Sequence, residues 1–226
     1  MVLISGCSFL QPKLLDNILN SRRIQTKNVA CSGAGNRYIA DSIIDHYDDS
    51  IDSVYVFFSG LHRVDITIPK DLADIYIDNY KFHSTLKNTT YIFSGGMVGT
   101  WQGEETETDI KNLFKDQYKT FNLNYLAENS LLNVSKCLNF LKSKNVKYKW
   151  SFIYDIFCNY ENESFGHSTG HVTKDFHALK HIDWDNYIDL TMYEFGRDHN
   201  LLSDDKWHLS GKGCNQYFLK ILDQLI

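Results

Sequence analysis

The sequence predicts an α/β fold in which helices cover both faces of a parallel sheet. Short apolar runs that end on glycine or serine alternate with longer segments of helical periodicity. Residues 53–60 (SVYVFFSG) form a continuous β-branched and aromatic run, which is typical of a strand buried on both faces. The 226 residues contain no internal repeat or linker, so we predict a single domain over residues 1–226.

The elements of the N-terminal part follow from the local pattern. Residues 2–5 are a short apolar strand, and residues 13–22 have the apolar spacing of a helix. The run 27–33 (KNVACSG) is a second strand. Asn36 is placed as the N-cap of the next helix. The apolar face of that helix comprises Ile39, Ile43 and Ile44.

The C-terminal part continues the alternation. A helical pattern over 110–141 contains one break, residues 147–156 form another strand, and a last helix covers about 209–225. Two segments interrupt this rhythm, around 66–106 and 158–184. Long insertions of this kind are often binding loops or lids, although some have no function.

Composition excludes several classes of protein. The formal net charge is −5 and the Lys and Arg residues do not cluster, which argues against a nucleic-acid partner. No apolar run is long enough to span a membrane, and the N-terminus lacks the features of a signal peptide. The five cysteines are scattered without a CxxC pair, as expected of reduced thiols. We therefore predict a cytoplasmic protein (in a host cytoplasm if the source is viral) without a membrane partner.

Candidate catalytic residues follow the predicted strands. Ser8, Gly33 and Gly60 come directly after the first three strands, whose carboxyl ends meet at one edge of a parallel sheet. Near the C-terminus, Asp205 and His208 are three residues apart, so that one turn places them side by side. The carboxylate could orient the imidazole while the imidazole takes the proton of Ser8. The backbone N–H groups of Ser8 and Gly33 could then bind an oxyanion.

Four blocks of the chain resemble those of the SGNH (GDSL-like) hydrolases, in the same order. They are ISGCSF with Ser8, NVACSGAGN with Gly33, FFSGLHRVD at the third position, and DKWH with Asp205 and His208. About thirty residues carry the resemblance, whereas its layout spans nearly the whole chain. The stretches GCSF, GAGN, SGLHR and FSGG…W are further similar to members of this family found in tailed bacteriophages.

The resemblance implies a three-layer, flavodoxin-like fold with about five parallel strands. It also implies hydrolysis of an ester, often an acyl group on a carbohydrate or lipid, through an acyl-enzyme on Ser8 and without a cofactor. Two departures from the family pattern affect the site. Cys7 replaces the usual aspartate, and the place of the asparagine that normally donates to the oxyanion reads Gly60-Leu61-His62-Arg63. His62, or Asn36 from the neighbouring loop, would have to supply that hydrogen bond; its loss typically costs 10²–10³ in rate.

Other interpretations remain open at this point. Cys7 could itself be the nucleophile or only a buried packing residue. Arg63 could grip an anionic or sugar substrate or pair locally with Asp65, and Trp101 could stack on a sugar or anchor a loop. The spacing of four histidines would suit zinc only on a helix, so we predict no metal site. These are His167, His171, His177 and His181.

Two function classes follow from the sequence. The first is a serine hydrolase that acts on a small-molecule or glycan ester. The alternative is a non-catalytic phage binding or structural protein that retains the fold. A complete Ser8–His208–Asp205 triad would favour the enzyme, whereas a collapsed crevice or a His62 turned into the core would favour the binding protein.

Overall fold

The computed structural model describes residues 1–10, 12–76, 83–94, 108–160 and 170–225. Its central element is a parallel sheet of four strands. In sequence order they are β1 (Val2–Ser5), β2 (Thr26–Asn28), β3 (Ser53–Phe58) and β7 (Lys147–Phe152), and their spatial order is β2-β1-β3-β7. Beyond β7, Tyr187 makes a single parallel bridge to Trp150, which continues the sheet at the position of a fifth strand.

The helices cover both faces of this sheet. They are α1 (Pro12–Ser21), α2 (Asn36–His46), α3 (Lys70–Tyr76), α4 (Thr108–Thr120), α5 (Leu123–Ser143), α6 (Met192–Asp198) and α7 (Gly211–Leu225). The chain passes from β1 outward to β2 and back across β1 to β3, so right-handed crossovers put α1 and α2 on opposite faces. Helix α1 packs with α7 and helix α2 packs with α5, which gives three layers. The predicted α/β class is confirmed.

The first insertion forms a small second sheet. Strands β4 (Asp65–Pro69), β5 (His83–Leu86) and β6 (Thr89–Phe93) pair antiparallel in the order β4-β6-β5. Ser94 directly follows β6 and connects this sheet to α4. Its hydroxyl accepts from Val64 N and lies 3.0 Å from Tyr118 Oη. The insertion is therefore attached to the end of the third block, which includes Val64.

The long helical pattern divides into two helices ahead of its break in periodicity, which lies between Tyr125 and Leu131. Helix α4 ends at Thr120 and α5 begins at Leu123, with Asn122 as its N-cap because the Asn122 side chain accepts from Asn124 N at 2.7 Å. In the second insertion, the described residues include a short 3₁₀ helix over His177–His181.

One predicted cap is wrong. Helix α2 begins at Asn36 itself, with Gly35 as the N-cap and no side-chain cap bond from that residue. The first-turn donors are instead satisfied by Asp65, whose two carboxylate oxygens accept from Gly35 N at 2.7 Å and Tyr38 N at 2.8 Å. A distant carboxylate thus replaces the expected local cap.

The hydrophobic core lies on both faces of the central sheet. Strand β3 is buried from Val54 to Phe58, as its continuous apolar pattern predicts. Within the described part of the chain, no helix is long and apolar enough to cross a membrane.

Candidate active site

Ser8 is presented at the carboxyl end of β1 by a tight turn. A Cβ atom on Gly6 would lie 2.4 Å from Leu10 Cδ1 and 3.0 Å from Phe57 O, so this close approach requires glycine. The backbone then turns into a 3₁₀ helix over Ser8–Leu10, closed by Leu10 N donating to Cys7 O at 3.1 Å. Cys7 and Phe9 are buried, whereas Ser8 between them is partly exposed. The turn therefore points the hydroxyl out of the core.

Ser8, His208 and Asp205 form one continuous chain of hydrogen bonds. Ser8 Oγ lies 2.9 Å from His208 Nε2, and His208 Nδ1 lies 2.7 Å from Asp205 Oδ2. When Nδ1 carries the proton and donates to the carboxylate, Nε2 is left as an acceptor for the Ser8 hydroxyl proton. The structure thus brings together two loops that are 200 residues apart in sequence.

Asp205 is held in its ionised form by its surroundings. Its partial burial alone would raise the pKa of the carboxyl, but four hydrogen bonds outweigh this effect and lower the pKa to about 2. Besides the imidazole, the donors are Trp207 N, Ser203 Oγ and His208 N, all directed at Oδ1. Asp205 is therefore an anion at neutral pH, fixed with Oδ2 toward the imidazole.

The His208 ring is held by neighbouring aromatic rings. Its centroid lies 4.6 Å from that of Phe9 and 6.2 Å from that of Trp207, which is nearly parallel to it. The loop itself is fixed by Ser203 N donating to His208 O at 2.8 Å, beside a bridge between Leu202 and Leu209. These contacts limit the rotation of the imidazole. A general base must be held in this way in order to keep its orientation toward the nucleophile.

Two backbone N–H groups follow the ends of β1 and β2, those of Ser8 and Gly33. Among the described residues, no acceptor pairs with the N–H of Ser8 or of Gly33. Gly33 has φ +82°, a left-handed conformation that favours glycine, in a turn where Ala34 N donates to Cys31 O at 3.2 Å. Within the part of the chain that the structure describes, neither N–H group is thus used by another protein atom.

Asn36 is buried and its side chain is fully engaged. Its Nδ2 donates to Ser59 O at 3.1 Å and to Ser130 Oγ at 2.6 Å, and its Oδ1 accepts from Ser59 N at 2.7 Å. Both amide hydrogens are thus already donated to protein atoms. The side chain joins the glycine block to the end of β3, and an additional bond to an oxyanion would require one of these bonds to break.

His62 is also buried, with 7% of its surface exposed. Gly170 packs directly on its ring: a Cβ atom there would lie 2.4 Å from His62 Cδ2, and the glycine has φ +66°. The backbone of His62 is fixed by Tyr118 Oη, which donates to His62 O at 2.8 Å. The residue at the place of the family's asparagine is therefore covered by the second insertion.

Arg63 and Cys7 are buried next to the two segments that carry Ser8 and Gly33. Arg63 is buried, and its Nη1 donates to Ala34 O at 3.4 Å. Its guanidinium also interacts electrostatically with the side chains of Cys7 and Tyr154. Cys7 is only 1% exposed and directly precedes Ser8, whereas Ala34 directly follows Gly33. The Cys7 thiol is thus buried, and the group that binds the His208 imidazole is the Ser8 hydroxyl.

The remaining candidates from the sequence are Trp101 and the four histidines of the second insertion. Trp101 and His167 lie outside the described residues. His177 Nε2 lies 3.1 Å from Glu128 Oε1 at the surface. Among the residues that the structure describes, no group of three or more His, Cys, Asp or Glu side chains could hold a metal ion.

Sequence reasoning missed three supporting residues. Asp65 caps α2, Ser203 donates to Asp205, and Phe9 packs on His208. Ser203 and Phe9 adjoin the recognised blocks, so their position in sequence could have suggested a supporting role. Nothing in the sequence indicates that Asp65 binds backbone groups 27 and 30 residues away.

The fold is similar to those of two solved structures, although no family model and no curated protein matches the sequence. One is the psychrotrophic esterase EstA from Pseudoalteromonas sp., solved in a form inhibited by monoethylphosphonate. It aligns with a TM-score of 0.50 and 11% identity over 99% of this chain and 94% of its own. Another is from Streptococcus pneumonia, provisionally assigned as a platelet activating factor, with a TM-score of 0.50 and 12% identity over 100% of this chain and 83% of its own. The chain therefore has an SGNH-like, flavodoxin-type fold.

Proposed function

We propose that this protein is a serine hydrolase that cleaves a carboxylic ester through an acyl-enzyme on Ser8. The observation that carries the proposal is the hydrogen-bond chain from Ser8 Oγ through His208 to Asp205. The two esterase-like folds support the class of reaction, and the EstA neighbour, inhibited by a phosphonate, is a protein of that class.

The first half of the reaction acylates Ser8. As Oγ bonds to the acyl carbon, its proton passes to His208 Nε2, and the resulting imidazolium is stabilised by the Asp205 carboxylate. The carbonyl oxygen becomes an anion that the N–H groups of Ser8 and Gly33 are free to bind. The C–O bond to the alcohol then breaks, and the alcohol leaves with the proton from Nε2.

The second half repeats these steps with water. His208 takes a proton from the water as its oxygen bonds to the acyl carbon, and the same N–H groups bind the second oxyanion. The bond to Ser8 Oγ then breaks, the proton returns to Oγ, and the carboxylic acid leaves. Asp205 remains ionised throughout because its pKa is about 2.

Hydrolysis of p-nitrophenyl acetate and butyrate tests the proposal. We expect wild-type turnover that Ser8→Ala abolishes, whereas Cys7→Ala retains it because the buried thiol does not bind the imidazole. A Ser8→Ala protein as active as wild type would refute the assignment. Loss of turnover in a folded Cys7→Ala protein, with Ser8→Ala active, would assign the nucleophile to Cys7.

Covalent labelling by an ethyl phosphonate with a fluoride leaving group tests the reactivity of Ser8 and does not require that the ester substrate be known. Ser8 Oγ would bond to phosphorus as fluoride leaves, and intact-protein mass spectrometry would detect one adduct. We expect the adduct in wild type and none in Ser8→Ala or His208→Ala.

A non-catalytic binding role is the second candidate, and the burial of His62 favours it. The third block presents no exposed side chain at the place of the family's asparagine. If the folded wild-type protein neither turns over the esters nor reacts with the phosphonate, the binding role becomes the better interpretation.

A further inference from the structure

A polar cavity of about 380 Å³ lies beside the candidate active site. Its wall is formed by the start of α2, the segment 63–67 and the junction between α4 and α5. None of Ser8, Asp205 and His208 lines it. The cavity is therefore separate from the groups that would perform the reaction.

The cavity nevertheless adjoins the candidate oxyanion loop. Asn36 lines the cavity and holds Ser59 at the end of β3. Arg63 also lines it and donates to Ala34 O, directly after Gly33. A molecule in the cavity would thus lie against the segments that orient Gly33, as expected for a part of a substrate at a distance from its ester.

The charge of the wall is positive. Arg37 and Arg63 both line the cavity, and within the described part of the chain neither forms an ion pair. Arg63 is 8% exposed, and its Nε has no hydrogen-bond partner among those residues. Asp65 also contributes to the wall and interacts electrostatically with both arginines, while its two oxygens accept from Gly35 N and Tyr38 N, so the wall carries two cations and one carboxylate. Buried guanidinium groups are normally paired, and a carboxylate is their best-matched partner.

The opposite side of the cavity presents an aromatic pair and amides. Phe121 and Tyr125 stack with centroids 4.9 Å apart and planes at 22°. Tyr125 is 50% exposed, a large fraction for an aromatic side chain that lines a cavity. Asn129 and Asn133 from the next turns of α5 also line it. A flat aromatic face flanked by amide donors and acceptors suits a hydroxylated ring better than an aliphatic chain.

We propose that this cavity binds an acidic sugar unit, with its ring against Tyr125 and its carboxylate toward Arg37 and Arg63. The binding itself follows from the cavity. Its role as a substrate subsite rests on the proposed function, in which the sugar belongs to the alcohol part of the ester.

Binding to the Ser8→Ala protein tests the inference without turnover. The probes are oligosaccharides that carry galacturonate, glucuronate or N-acetylneuraminate, each beside a counterpart whose carboxylate is reduced to the alcohol. We expect calorimetry to show binding of at least one acidic probe and at least tenfold weaker binding of its neutral counterpart. Failure of every acidic probe to bind, or equal binding of each pair, would overturn the inference.

Matched variants in the Ser8→Ala background locate the site. Tyr125→Ala should weaken binding of the acidic probe at least tenfold, whereas Leu132→Ala, equally exposed on the same helix but outside the cavity, should not. Arg37→Gln should remove the preference for the acidic probe, and Arg22→Gln, exposed at the end of α1, should retain it. Binding that survives both cavity substitutions would place the sugar elsewhere and overturn the inference.

The two proposals fail in different measurements. Wild type that hydrolyses p-nitrophenyl acetate through Ser8, together with no binding of any acidic probe, would remove the subsite and keep the esterase. Binding that is sensitive to Tyr125→Ala, in a protein without esterase activity or phosphonate labelling, would support the cavity as a sugar site of a binding protein.

Discussion

The two halves of the candidate site use their polar side chains in opposite ways. In one half, Ser8, His208 and Asp205 bind one another in a chain that ends on a partly exposed hydroxyl. In the other half, the side chains of Asn36 and Asp65 bind backbone groups and hold two loops in place. The side chains of the first half thus form a chain along which a proton can move, whereas those of the second half have a structural role.

Asp205→Asn should have the largest effect, because it breaks the first half at its charged end. An amide cannot stabilise the imidazolium as a carboxylate does, and it favours the wrong tautomer of His208. We expect kcat/KM for p-nitrophenyl acetate to fall by about 10³–10⁴. Ser203→Ala is the control: it removes one of the bonds to Asp205 Oδ1 and should cost about 1 kcal/mol, or about fivefold. Similar losses in both variants would contradict this role of the carboxylate.

Asn36→Leu should remove hydrogen bonds of the second half of the site and lower the stability of the folded protein. It leaves the N–H and C=O of Ser59 unpaired in a buried position, which should lower the free energy of unfolding by about 3 kcal/mol in urea titration. Asn20→Leu, an exposed position at the end of α1, should change it by less than about 0.5 kcal/mol. An Asn36→Leu protein of wild-type stability would mean that these bonds do not hold the loop.

Asp65, in the second half of the site, should make the free energy of unfolding of the protein depend on pH. Burial raises the pKa of this carboxyl to about 6 although Tyr38 N, Gly35 N and Arg63 favour the anion. The folded state therefore retains a proton that the unfolded chain, with a pKa of about 3.9, releases earlier. The contribution of Asp65 to stability thus falls as pH rises, by about 2 kcal/mol between about pH 4.5 and pH 7.

Asp65→Asn should remove this decline. Urea titrations of both proteins at the two pH values measure it: the stability of the variant relative to wild type should be higher at pH 7 than at pH 4.5. Equal differences at both pH values would show that Asp65 is ionised in the folded protein throughout.

Gly170→Ala should have the smallest effect on activity, and it tests whether His62 takes part in binding the oxyanion. The alanine would take a left-handed conformation and press its Cβ on the imidazole, at a cost of about 1–2 kcal/mol of stability. If only backbone N–H groups bind the oxyanion, kcat should fall much less than the 10²–10³ typical of a lost donor. Gly211→Ala, with no atom within 4 Å of the added Cβ, is the control. A large loss of kcat in Gly170→Ala alone would assign His62 to the oxyanion hole.

The success of sequence analysis differed between regions for physical reasons. The burial of β3 follows from its continuous apolar run, which is a local property of the chain. The division between α4 and α5 lies at Phe121 and Asn122, where the apolar spacing continues, so the periodicity did not locate it. The N-cap assigned to Asn36 was wrong because a local propensity was overridden by a tertiary bond to Ser59, 23 residues away. The first insertion was recognised as irregular, but its pairing as an antiparallel sheet depends on contacts that no local pattern encodes.

The sequence alone predicts the α/β class, the succession of its strands along the chain and the blocks that carry Ser8, Gly33, Asp205 and His208. Strand burial and block order depend on neighbouring residues, so they can be read along the chain. The tertiary structure is needed to place Ser8 2.9 Å from His208, to bury Asn36 and His62, and to form a cavity lined by arginines next to the segment that carries Gly33. Those features arise where loops distant in sequence meet at one edge of the sheet, and hydrogen bonds and charges there depend on distances that folding alone establishes.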